Sequence, residues 1–151
     1  MSIPSRLDYE NLIYSLPDVY PNLVRHSTLH LYSTSALTAV LRGEIILKNE
    51  LRIKILEVLD FKEKQIRQYS YSVFHGEQKI RWYDPQPHSE EPRLAKTFPH
   101  HFHTSPDIKH NRQPAPGITF DSPNLSVLLN DCMTLGAREA GDSDRSQGDE
   151  T

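Results

Sequence analysis

The chain has 151 residues and a mass of 17.4 kDa, the size of one domain, and its 36% hydrophobic and 25% charged residues supply a single modest core. No run approaches the ~20 apolar residues of a membrane span, and the N-terminus MSIPSRLDYE is polar where a secretory leader is apolar, so the expected location is the cytoplasm. A lone Cys132 forbids an internal disulfide, and a net charge of −3 argues against a uniformly basic nucleic-acid binder.

In SRLDYENLIYSLP, Ser5 can cap a short helix with Asp8 three residues on, and Pro17 ends it. STLHLYS places Leu29 and Leu31 at period two. LTAVLRGEIILKN then alternates Ala39, Leu41, Ile45 and Leu47 against Thr38, Arg42, Glu44 and Lys48. After a polar turn at Lys48-Asn49-Glu50, Leu51, Ile53 and Ile55 point inward and Arg52 and Lys54 outward, which makes a hairpin. KQIRQYSYSVF sets Tyr69, Tyr71 and Val73 on one face, His75-Gly76-Glu77 turns the chain, and KIRWYD returns as a strand ending at Pro85.

From Pro85 to Pro116 seven prolines forbid a regular helix and predict a long loop with only short extended pieces. Ser122 and Pro123 then read as the cap and first position of a closing helix, with Gly136 as its stop. The expectation is an α+β domain over residues 1–135. It consists of an antiparallel meander of four to six strands, N- and C-terminal helices packed on it, and a long Pro/His-rich loop, since short turns between strands preclude parallel pairing. Residues 136–151, rich in Gly, Ser and acids, read as a disordered acidic tail that could fold back over a basic site.

Charge is uneven. Residues 61–112 carry nine Lys/Arg against six Asp/Glu and hold six of the eight histidines, whereas residues 113–151 carry two against seven. Partial protonation of those imidazoles makes the middle segment more cationic still and suited to an anionic ligand. Within it, PHHFH at 99–103 lies between His88 and Lys109-His110-Asn111-Arg112. In extended backbone His101 and His103 project to one side and His100 and Phe102 to the other.

Three uses of these histidines compete. The His-x-His pair with His88 or Asp84 could hold zinc, iron or copper. The rings could serve as acid and base on a phosphodiester, with Arg81, Lys109 or Arg112 binding phosphate. Or they could satisfy loop carbonyls structurally. Acid–base action on RNA without metal or other cofactor is the preferred use, with His88, His101, His103 and Arg81 at the reaction centre. Tyr71, Tyr83, Lys109 and Arg112 would bind substrate, with Asp84 and His100 in support. Of the aromatic set Tyr69, Tyr71, Trp82, Tyr83, Phe98 and Phe102, one or two would stack on bases and the rest pack in the core. The alternatives are a non-catalytic module binding nucleic acid or protein, and a metal-dependent enzyme. No GxxxxGK[ST], GxGxxG or GxSxG occurs, so nucleotide phosphotransfer, dinucleotide chemistry and serine hydrolysis lack their usual support.

The residues YSYSVFHGEQKIRWYDPQPH, TFPHHFH and IKHNRQPAPG resemble the TumE-like toxins of toxin–antitoxin modules. The shared pattern falls on Tyr69 and Tyr71, on Arg81, Tyr83 and Asp84, on Pro87 and His88, and on Pro99, His100, His101 and His103. Two positions depart from it: Pro85-Gln86 stands where many members carry Asn and a small residue, and Phe102 where a basic residue is frequent. The resemblance implies a growth-arresting toxin neutralised by a helix-turn-helix antitoxin. RNA as substrate, and a homodimer, are expectations beyond it.

Overall fold

The computed structural model describes residues 2–88 and 90–148, with residues 137–148 described by their backbone alone. Helices α1 (Arg6–Tyr14) and α2 (Leu16–Val19) precede strands β1 (Val24–Ser27), β2 (His30–Ser33), β3 (Thr38–Leu47), β4 (Leu51–Asp60), β5 (Gln65–His75) and β6 (Gln78–Asp84). A 3-10 turn at Pro92–Thr97, strands β7 (His101–Thr104) and β8 (Arg112–Pro114), and helix α3 (Leu125–Gly148) complete the chain. The sheet is antiparallel in the order β1-β3-β4-β5-β6-β7-β8, with β2 also paired to β3.

The α+β class and the antiparallel sheet are as expected, but eight strands replace four to six. The additional ones arise where one expected strand divides and where apolar alternation is missing. STLHLYS divides between β1 and β2, and the segment expected as a loop contributes β7 and β8, with Pro114 tolerated because β8 is an edge strand. At the N-terminus, Ser5 accepts a hydrogen bond from the Asp8 amide, the capping that the Ser-x-x-Asp spacing predicts. At the other end α3 begins at Leu125, past the expected Ser122 cap, and runs through Gly136 instead of stopping there. Asn124 stands before it. Its side chain accepts from the Thr119 amide and donates to the Thr119 carbonyl and the Tyr71 hydroxyl, which ties the helix start to the sheet. Of the expected acidic tail, residues 149–151 and the side chains of 137–148 lie outside the described residues.

Both long helices lie on one face. Period-two alternation sends Leu41, Ile45, Ile53, Ile55, Tyr69, Tyr71, Val73 and Tyr83 into a single core with Tyr9 and Ile13 of α1 and Leu125, Leu128, Leu129 and Cys132 of α3. The opposite face mixes Arg42, Lys54 and Lys79 with Leu56, Phe74 and Trp82 and carries no helix among the described residues.

Within the core sits a carboxylate the sequence reading passes over. Glu57 on β4 is fully buried and accepts hydrogen bonds from the hydroxyls of Tyr9 and Tyr71, and Asn124 donates to the Tyr71 hydroxyl in turn. Burial pushes the Glu57 carboxyl above its ordinary range, against the opposing pull of the two tyrosine hydroxyls. The folded protein therefore keeps the Glu57 proton to higher pH than the unfolded chain, which releases it at about pH 4.3. The stability due to the neutral acid is present below that pH and is lost as pH rises through the folded-state value. The Glu57→Gln variant is accordingly predicted to gain on the wild type as pH climbs from 4 to 8, read as a widening gap between urea midpoints.

A second constraint concerns β3. β1 pairs with Ile45–Leu47 and β2 with Ala39–Arg42, and the chain crosses from one to the other over Gly43, whose φ is +143°. A Cβ there would meet the Thr28 carbonyl oxygen at 2.6 Å, a backbone atom that cannot swing away. Gly43→Ala should cost about 2 kcal/mol or more in equilibrium unfolding; a loss below about 0.5 kcal/mol would contradict the crossing as described.

Candidate functional site

β6 and β7 are in antiparallel register, with Asp84 opposite His101, Tyr83 opposite Phe102, Trp82 opposite His103 and Arg81 opposite Thr104. Alternation along the two strands therefore brings Trp82, Asp84, His101 and His103 together on the helix-free face and sends Arg81, Tyr83 and Phe102 into the core side.

The first group forms a tight cluster. His101 Nε2 lies 3.1 Å from Asp84 Oδ1, His103 Nε2 lies 2.9 Å from Asp84 Oδ2, and the two Nε2 atoms are 3.1 Å apart. His101 Nδ1 is 3.1 Å from the Pro99 carbonyl oxygen, which can only accept, so this nitrogen carries a hydrogen. Asp84 also accepts from the Gln86 amide at 2.8 Å. The Trp82 indole stacks on the His103 ring with centroids 4.6 Å apart, and its Nε1 donates to Ser70. Asp84, His101 and His103 are all buried, at 6%, 1% and 3% exposure.

Burial works to raise the Asp84 carboxyl, but hydrogen bonds from His101, the Gln86 amide and His103 bring it below its usual range. The two imidazoles divide. Desolvation lowers both, yet at His101 the carboxylate and the Pro99 carbonyl prevail and raise it, while at His103 desolvation prevails and lowers it.

His88 touches this cluster without joining it: its ring stands perpendicular to His101 at 4.9 Å, and its Nδ1 engages Glu90 at 3.2 Å. His100 faces the core side, where its Nδ1 meets the Tyr69 hydroxyl at 2.6 Å and its ring packs on Tyr69 and Phe120. Burial lowers its tendency to protonate.

Arg81, expected beside the histidines, is on the opposite face. Its guanidinium lies 4.2 Å from the Phe102 ring and donates to the Tyr83 hydroxyl, which bonds Asp131 of α3. Tyr71 and Tyr83, expected to bind substrate, are completely buried and cannot receive a base. Lys109 is exposed in the turn before β8, away from the cluster. Arg112, opposite His103 on β8, is the nearest cation, and it is held by Glu91 at 2.6 Å.

The structure adds residues the sequence reading left as outward solvating positions. Arg42, Lys54 and Lys79 share the helix-free face, line one depression, and make no ion pair among the described residues. A neighbouring depression of about 550 Å³ is lined by Ser70, Trp82, Asp84 and Pro85–Pro87, so Asp84 is the member of the cluster that faces it. The strand alternation itself was the available signal for this grouping.

A family model described as Toxin TumE matches residues 12–135. The chain belongs to the TumE toxin family. The match spans every strand of the sheet and both the Asp84 and the His101–His103 segments. Membership in the TumE family makes the chain a toxin of a toxin–antitoxin module and implies an antitoxin partner. No curated protein and no solved structure matches the chain. Among the described residues no helix is long and apolar enough to cross a membrane.

The contacts of this TumE-family cluster predict a spectroscopic pattern. Long-range proton–nitrogen spectra near neutral pH should show His101 protonated at Nδ1. Trp82→Ala should displace the His103 ring signals, while Arg81→Ala lowers the unfolding midpoint and leaves those signals in place.

Proposed function

We propose that this TumE-family toxin acts in the cytoplasm by cleaving RNA on the helix-free face of its sheet, and that a helix-turn-helix antitoxin restrains it. The observation that carries the proposal is the sharing of that one face by the Asp84–His101–His103 cluster, the Trp82 ring and the cations Arg42, Lys54 and Lys79. Cations that make no ion pair among the described residues draw a phosphate backbone to this shallow face, and an adjoining depression can take a splayed nucleotide.

The chemistry differs from three separate acid–base histidines assisted by Arg81. With both Nε2 atoms turned to one carboxylate, His101 and His103 act with Asp84 as a single unit. Asp84, on the side of the depression, is the member nearest a bound phosphodiester. His88 and the Trp82 indole hold the two rings in place, and Arg112 is the cation available to a developing phosphorane charge in place of Arg81. A second reading, a binding module without turnover, uses the same face.

Incubation of the purified chain with total RNA in buffer containing mixed divalent cations separates the two. New RNA ends are expected, with turnover reduced about 100-fold or more in Asp84→Asn, His101→Ala and His103→Ala. RNA retained but uncut by wild-type protein would favour the binding module. Replacing Arg42, Lys54 and Lys79 by Gln should weaken single-stranded RNA binding and flatten the dependence of log affinity on log salt by about 2, near 0.7 per lost phosphate contact.

A further inference from the structure

We infer that Asp84, His101 and His103 form a binding site for a first-row divalent cation. The two ring nitrogens and the two oxygens of one carboxylate face one another: His101 Nε2 lies 3.1 Å from Asp84 Oδ1, His103 Nε2 lies 2.9 Å from Asp84 Oδ2, and the Nε2 atoms are 3.1 Å apart. An ion bound by histidine nitrogen and carboxylate oxygen lies about 2.0–2.1 Å from each donor, and neighbouring donors at right angles about it are then roughly 3 Å apart. Each of these three spacings is that of neighbouring ligands about a six-coordinate ion, with the carboxylate offering an oxygen to either side. Two imidazoles and one carboxylate so placed suit manganese, iron, cobalt or zinc.

Proton bookkeeping points the same way. The Pro99 carbonyl claims the hydrogen on His101 Nδ1, so a neutral His101 turns the lone pair of Nε2 toward Asp84 Oδ1 and His103 Nε2. His103 Nε2 has one hydrogen to give, and it serves either the carboxylate or His101. With neutral rings at least one of these contacts opposes two lone pairs. A single cation in contact with all three residues resolves every contact at once. The bond from His101 Nδ1 to a backbone carbonyl is also the outer contact that sets tautomer and ring orientation in metal-binding histidines.

The setting is preorganised. The donors come from adjacent paired strands, the Trp82 ring covers His103, and all three residues are buried. Three protein donors leave further positions for water or a phosphate oxygen. Of the two candidates for a third ligand beside the His-x-His pair, the geometry selects Asp84. His88 instead gathers with Glu90 and Glu91 in a separate, more exposed group. The inference shares its residues with the proposed reaction centre and stands on their geometry, whatever the substrate.

The test titrates the full chain, stripped with EDTA and dialysed, with Co²⁺ and then Zn²⁺ near neutral pH. One ion per chain should bind, Co²⁺ should show the weak visible absorption of a six-coordinate centre, and its spectrum should contain two exchangeable, hyperfine-shifted imidazole N–H signals from rings bound through Nε2. His101→Ala and His103→Ala should bind more than about 100-fold more weakly, beyond the roughly 10–100-fold cost of losing an outer contact, while His110→Ala, at an exposed histidine outside the cluster, binds as wild type. If either alanine variant does not fold, the wild-type N–H signals decide. Absence of saturable binding by wild type, or binding unchanged in both folded alanine variants, overturns the site. An ion bound as described with RNA left intact upholds the site and removes the ribonuclease reading. RNA cut by the stripped chain, with no ion bound on titration, does the reverse.

Discussion

One electrostatic constraint organises this end of the molecule: two imidazoles and a carboxylate are held buried at hydrogen-bond distance from one another. Charged groups so placed are costly unless each is matched. The surrounding structure supplies most of the matches, leaving His103 Nδ1 buried without a partner among the described residues. A backbone carbonyl takes the far nitrogen of His101, a backbone amide takes part of Asp84, and an indole covers His103. The β6–β7 register is what brings the three together, since a slip of one residue would send His101 and His103 to the core side.

The sheet separates two kinds of polar network. On the helix side, Glu57, Tyr9, Tyr71 and Asn124 are neutral or shared-proton groups that join α1, the sheet and the start of α3. Arg81, Tyr83 and Asp131 tie the sheet to a later turn of α3. On the open side, the buried cluster meets a depression through Asp84, and the cations Arg42, Lys54 and Lys79 line the depression next to it. Cys132 belongs to the first set: burial pushes its thiol up to about 12, which keeps it uncharged and unreactive.

Much of this was legible from residue order. The β3–β4 and β5–β6 hairpins follow from period-two alternation and their polar turns, and the α1 start from Ser5 and Asp8. The assignment of Arg81 to the histidine site ran against the same rule, because residues 81 and 84 on one strand necessarily face apart. β7 and β8 were hidden for a different reason. Their positions on the cluster face are filled by His101, His103 and Arg112, which bond Asp84 and Glu91, so the apolar signature of a strand is missing. The helix stop expected at Gly136 fails because propensity is a weak prior, and glycine in a helix costs only about 1 kcal/mol against a tertiary setting that favours continuation.

The margins of the sheet carry a consequence of their own. β8 is three residues long and closes on Pro114, while at the other margin β1 and β2 are four residues each and β1 bulges between Val24 and His26. Neither border offers a long, flat row of unpaired amides. A chain freed from its antitoxin is thereby poorly suited to serve as a template for cross-strand polymerisation, and resists aggregation through backbone design instead of surface charge.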